Sequence, residues 1–188
     1  MSAGTGKSGG IYSRPGTDVP PDDLRRLLTV AQADQARPNL PHLAMAGDTY
    51  TILITGEDTA GQFCLIDMHV PPGGGPPPHR HDFEETFVLL GGELNVMFRG
   101  KKSVVRAGET VNIPSNAPHQ FHNGSQQAVR MLCLCSPAGQ ENFFLEVGVP
   151  VATRTTPAPQ VDAATREKAM AKAKELAPTY KTEFLEKA

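Results

Sequence analysis

PPGGGPPPHRHDFEETFVLLGG, residues 71–92, sets the frame for the whole chain. It places three side chains able to ligate a metal, His79, His81 and Glu85, within seven residues, between a stiff Gly/Pro approach and an apolar run. A fourth, His119, lies about thirty residues on, in GETVNIPSNAPHQFHN, residues 108–123. Alternate residues of a strand point to one face, so an unbroken strand would put His79, His81 and Glu85 on one side together with Phe83, Phe87 and Leu89. Two imidazoles and a carboxylate in an apolar wall are costly to bury without a partner. A divalent cation removes that cost, since imidazole nitrogen and carboxylate oxygen are both good ligands for first-row metals. The prolines before His79 stiffen the entry and limit the entropy lost on fixing it.

His119 opens a further run, 119–123, whose face it shares with Phe121 and Asn123. If the four groups meet around a six-coordinate ion, two cis positions stay open for water, dioxygen or a substrate oxygen, which is the mark of a catalytic site. A His-x-His pair alone arises on strands by chance; the spaced Glu and the distant His carry the reading. His122 has the opposite parity to His119 and is expected to face away. His42 and His69 have no ligand-like neighbours and read as structural.

Working outward, short apolar runs alternate with turn residues from Thr49 onward. The expected strands are 50–55, 63–70, 85–90, 93–99, 102–106, 110–113, 119–123, 128–135 and 143–148. Gly100-Lys101 is the expected hairpin turn between the fourth and fifth. Strands at this spacing, with no helix between them, predict a sandwich or barrel rather than a parallel α/β sheet.

Residues 1–47 read as an N-terminal arm, 48–150 as the barrel, and 151–188 as a linker and C-terminal helix. In the arm, residues 1–18 are glycine-rich and polar, as expected of a mobile segment. Gly6-Lys7-Ser8 ends a phosphate-loop pattern whose first glycine would fall on Met1, with no strand before it, so that reading is set aside. Pro20-Pro21-Asp22-Asp23 would cap a short helix over 24–31, although Leu27, Leu28 and Val30 equally suit an edge strand, and Pro38 and Pro41 end the element. At the other end, 162–177 predicts a helix stopped by Pro178, with Ala169, Met170, Ala173, Leu176 and Ala177 as a thin apolar stripe docking on the barrel. Tyr180 and Phe184, four residues apart, would pin the tail.

The chain has 188 residues, 39% hydrophobic residues and a net charge of −2, enough for one well-buried domain without a basic surface to attract nucleic acid. No apolar run is long enough to span a bilayer and the N-terminus lacks the apolar stretch of a secretion signal, so the expected compartment is the cytoplasm. The three cysteines, Cys64, Cys133 and Cys135, are too few and odd in number for a disulfide framework. Cys133 and Cys135 would share a strand face, but no second thiol pair completes a metal site, and they read as buried core residues.

The two histidine-bearing segments resemble the paired signatures of the cupin superfamily. The first reads G-x5-H-x-H-x3-E-x6-G, matched by Gly73, His79, His81, Glu85 and Gly92; the second reads G-x5-P-x-G-x2-H-x3-N, matched by Gly108, Pro114, His119 and Asn123. Nine of ten fixed positions agree. Asn116 stands where the pattern has glycine, at a turn position suited to positive φ, which asparagine tolerates best among the alternatives. The surrounding residues, 56–149, are similar to single-domain bacterial cupins of the quercetin-dioxygenase-like kind. The resemblance implies a small antiparallel jelly-roll barrel, with His79, His81, Glu85 and His119 converging on one divalent transition metal (Mn, Fe, Co, Ni, Cu or Zn). It also implies a homodimer.

Cupins serve many chemistries, so fold alone does not settle function. The leading expectation is a dioxygenase acting on a small aromatic, enol or flavonol-like substrate, with Glu85 as general base. Phe83, Phe87, Leu89 and Phe121 would line an apolar substrate pocket, although core packing accounts for them equally well. A redox-neutral metal-dependent isomerase or lyase, and a non-catalytic small-ligand-binding module, are the alternatives.

Overall fold

The computed structural model describes residues 21–34 and 40–186; the expectations for residues 1–18 and for Pro38 lie outside them. The barrel begins with β1 (His42–Met45) and β2 (Asp48–Ile54), then a single capped turn, α1 (Gly56–Thr59). There follow β3 (Cys64–Val70), β4 (His79–His81), β5 (Glu84–Gly91), β6 (Glu93–Phe98), β7 (Lys101–Arg106) and β8 (Thr110–Ile113). β9 (His119–His122) and β10 (Val129–Ser136) complete the central strands. Beyond them lie α2 (Gln140–Val147), β11 (Val149–Pro150), α3 (Ala163–Leu176), a 3-10 turn over Ala177–Tyr180, and β12 (Thr182–Phe184).

The strands form two antiparallel sheets, ordered β11-β1-β2-β3-β10-β5-β8 and β12-β4-β9-β6-β7. This is the small antiparallel jelly roll that the cupin resemblance implies, with the C-terminal helix expected over 162–177. Alternation builds the core between the sheets: on β10, Val129, Met131, Cys133 and Cys135 point inward and are fully buried, while Arg130, Leu132 and Leu134 lie on the other face. The hairpin joining β6 to β7 turns at Arg99-Gly100, one residue before the expected position, because both take positive φ (48° and 78°) and leave Lys101 to pair with Phe98.

Three expectations fail for physical reasons. Residues 143–147 are not a strand but the body of α2, with Gly148 as its C-cap, where Gln140, Phe143, Phe144 and Val147 recur at i, i+3, i+4 and i+7 and turn one face to the core. Phe144 packs against Tyr50, with ring centres 5.0 Å apart. Residues 24–31 form neither helix nor strand beyond a turn at 24–25; Leu24, Leu27 and Leu28 are 84–90% exposed and have no surface to fold against. The segment is tethered instead by Thr29 Oγ1, which donates to Asp58 Oδ1 at 2.6 Å. Of the stripe on α3, Ala169 is exposed; Met170, Ala173, Leu176 and Ala177 are the members turned inward. Pro178 does end the α-helix, and Tyr180 pins the tail through its hydroxyl to Glu146 and its ring to Phe143 at 5.6 Å.

Candidate metal centre

The glycine-rich approach is dictated by crowding. A Cβ on Gly74 would sit 2.2 Å from Asp48 Oδ1, and one on Gly75, at φ 126°, 2.3 Å from the Phe121 carbonyl. The loop thus threads between β2 and β9. Asn123 N–H donates to the Gly74 carbonyl at 3.0 Å, while Gly73 N–H donates to that of Asn123 at 2.8 Å. The end of the second signature therefore fastens the start of the first. Asn116 takes the expected positive φ, 63°, and its N–H reaches the His81 carbonyl at 2.6 Å.

His79, His81, Glu85 and His119 meet in the interior, all buried, with one ligand atom of each within 4.8 Å of the others. The route differs from an unbroken strand. β4 with His79 and His81 belongs to the five-stranded sheet, beside β9 with His119; β5 with Glu85 belongs to the seven-stranded one. The chain changes sheets at Asp82-Phe83, so the carboxylate faces the imidazoles across the barrel. Glu85 Oε2 lies 3.1 Å from His119 Nε2 and 3.3 Å from His81 Nε2.

Backbone carbonyls clamp all three rings at the far nitrogen: Nδ1 of His79, His81 and His119 lies 2.9 Å from the oxygens of Pro77, Phe83 and Ala117. A carbonyl only accepts, so each Nδ1 carries the proton. In the neutral ring the lone pair then belongs to Nε2, aimed at the common centre. Burial, then the neighbouring His119, pulls the His79 pKa down to about 4, leaving a neutral imidazole. For His119 burial acts the same way, but the Glu85 carboxylate outweighs it and raises the pKa. Burial alone would push Glu85 up; hydrogen bonds from His119 and His81 overcome it and hold the carboxyl well below the usual range. The donor set, three clamped imidazoles and one ionised carboxylate, fits a divalent transition metal.

Phe83 stacks on His81 with ring centres 3.8 Å apart, and Phe87 meets Phe121 edge-on at 5.5 Å. These three and Leu89 are buried in the core between the sheets. His122 is exposed, as its parity required. His42 is buried and bonded to Thr51 Oγ1 at 2.8 Å. Sequence reasoning missed Cys133, whose Sγ donates to Glu85 Oε1 at 3.3 Å. Burial keeps it a thiol, with a pKa pushed up to about 12. The signal existed in the shared parity of Cys133 and Cys135, but only strand pairing, which sets Cys135 opposite Glu85, reveals the neighbour.

Two antiparallel sheets closing over three histidines from one side and a carboxylate from the other define a class of small jelly-roll proteins with a metal-competent interior. Residues 66–135 match the family model described as Cupin domain, which supports the cupin superfamily for this part of the chain. It is 26% identical over 136 residues to Endoribonuclease YbeY of Myxococcus xanthus, covering 72% of this chain and 39% of that protein. It is 30% identical over 132 residues to Auxin-binding protein 1 of Arabidopsis thaliana, covering 65% and 63%. With Quercetin 2,3-dioxygenase of Bacillus subtilis it shares 27% over 135 residues, covering 71% and 38%. The chain thus spans between 38% and 63% of the length of these relatives. Among solved structures it resembles the polyketide cyclase RemF from Streptomyces resistomycificus, with a TM-score of 0.51 and 26% identity, covering 58% of this chain and 80% of that one.

Proposed function

We propose that the chain is a metal-dependent dioxygenase acting on a small aromatic, enol or flavonol-like substrate. The observation that carries the proposal is the set of three Nε2 atoms, presented by carbonyl-clamped rings and facing one ionised carboxylate inside an aromatic wall. A first-row divalent metal held by His79, His81, Glu85 and His119 would supply Lewis acidity toward a substrate oxygen and, where redox-active, electron exchange with dioxygen. The protein does the rest. The clamped rings keep their donor atoms on one point, so little reorganisation accompanies binding. Glu85, anionic and alone on its sheet, accepts the proton of a substrate hydroxyl. Phe83, Phe87, Leu89 and Phe121 present flat apolar surface to an aromatic ring and exclude water. The similarity to a quercetin dioxygenase points the same way. Buried, unpaired cysteines support a reducing, cytoplasmic setting.

Oxygen uptake with a flavonol, after loading the protein with each candidate metal in turn, tests this. Uptake is expected with at least one redox-active metal and is lost in Glu85→Gln. Bound metal with no uptake in any form would contradict it. The likeness to a polyketide cyclase favours a second reading, redox-neutral isomerase or lyase chemistry at the same centre. Turnover of an enol substrate without oxygen would establish that reading instead.

A further inference from the structure

β4 is three residues long, yet it carries two of the four candidate ligands. Toward β9 its pairing is His79 with His119 alone. On its other side it runs against β12, with Thr182 opposite His81, Glu183 opposite Arg80 and Phe184 opposite His79. The ladder continues past both ends: Asp82 N–H donates to the Lys181 carbonyl at 3.3 Å, and Leu185 N–H to the Pro78 carbonyl at 2.8 Å. Hydrogen-bonded and non-bonded pairs alternate in an antiparallel ladder, so Glu183 and Arg80 form the bonded pair between those two contacts. Thr182 and Phe184 then make the close, non-bonded pairs with His81 and His79 and share their inward face. Thr182 is accordingly buried. Two ion pairs reinforce the match outside, Arg80 Nε to Glu183 Oε2 at 2.6 Å and Lys181 Nζ to Asp82 Oδ2 at 3.0 Å.

We infer that β12 is a strap whose backbone positions His79 and His81, making Glu183 a positioning residue for a metal centre about a hundred residues upstream. This rests on the metal reading of the site. Without β12, the ligand strand would be an open sheet edge held by its pairing at His79 and the Asn116 N–H on the His81 carbonyl, too loose to keep two imidazoles on a common point. The strap can loosen without the barrel unfolding. Its own anchor is modest, since no residue of α3 is fully buried and the helix docks through partly buried Ala173 and Leu176 and the turn at Ala177 and Tyr180.

The test uses the full chain with Glu183→Pro, which removes the ladder N–H, and Glu183→Gln, which keeps it and removes only the exposed ion pair. Amide exchange of Arg80 and Asp82 is followed in the metal-free protein, and metal release to a chelator in the loaded one. Glu183→Pro should speed both at least tenfold while Val129 and Met131 amides on β10 keep their protection; Glu183→Gln should stay within twofold of the parent. Reciprocity supplies a measurement on the unaltered protein: metal loading should slow exchange at Glu183 and Leu185, which hold no ligand. Metal release within twofold in Glu183→Pro, or β12 amides indifferent to loading, would overturn the strap. An unaltered chain that takes up no metal would refute instead the centre on which the inference rests, whatever the amides show.

Discussion

Only one oxygen of Glu85 faces the imidazoles; the other accepts a hydrogen bond from Cys133, which is buried in the barrel. That thiol keeps the carboxylate from rotating and presents a single oxygen to the centre. Cys133→Ala should therefore lower metal affinity about tenfold, with Cys133→Ser restoring most of it, since partners of metal ligands typically contribute 10–100-fold. Isothermal titration with the same metal on the three proteins checks this; equal affinities would deny the thiol its role. Proton counting probes His119 similarly. Its pKa is raised, so the metal-free site holds a proton there that binding must expel, while His79, held down to about 4, has none to give near neutrality. Proton release per metal bound should be near one below the raised value and fade above it, and affinity should climb with pH over that window. In the metal-free chain the same raised pKa contributes stability that is complete below 6.5 and is lost as pH rises through the folded value.

At the scale of elements, β2 meets the glycine-rich loop through Asp48, which accepts from Gly75 N–H at 3.2 Å and from Tyr50 at 3.1 Å. Burial is the largest influence on this carboxyl and raises its pKa from 3.8 to about 7. The folded chain thus keeps a proton that the unfolded chain gives up, and stability falls as pH rises between those values. Asp48→Asn should gain on the parent by about 4 kcal/mol between pH 4 and pH 8, read from urea melts at both; a constant difference would mean the carboxyl titrates normally. The turn that delivers His119 offers a backbone test. Asn116→Val at φ 63° should cost about 1–2 kcal/mol, whereas Asn116→Gly should be close to neutral. Elements were legible where their signal was local. The strand over Thr110–Ile113 was read to the residue because apolar alternation and flanking turns define it. Residues 143–148 were misread because Phe-Phe-Leu-Glu-Val has strand propensity, and the helical period emerges only when Gln140 is counted. β12, and the break that makes β4 a strand of its own, were not legible because their pairing is with each other across a long separation.

For the molecule as a whole, the convergence of the four candidate ligands was readable because two short spacings carry it, whereas its geometry was not. Sequence parity placed Glu85 beside the histidines on one strand; the fold places it opposite them, on the other sheet. That opposition gives the site a wall on each side and ties the centre to the closure of the two sheets. The account stands on four side chains holding one cation. Elemental analysis of protein purified without chelator, beside His79→Ala prepared identically, measures this most directly. About one equivalent of a first-row transition metal in the parent, and a tenth of that or less in the variant, is the predicted result. Equal metal content in the two, or none in either, would contradict it.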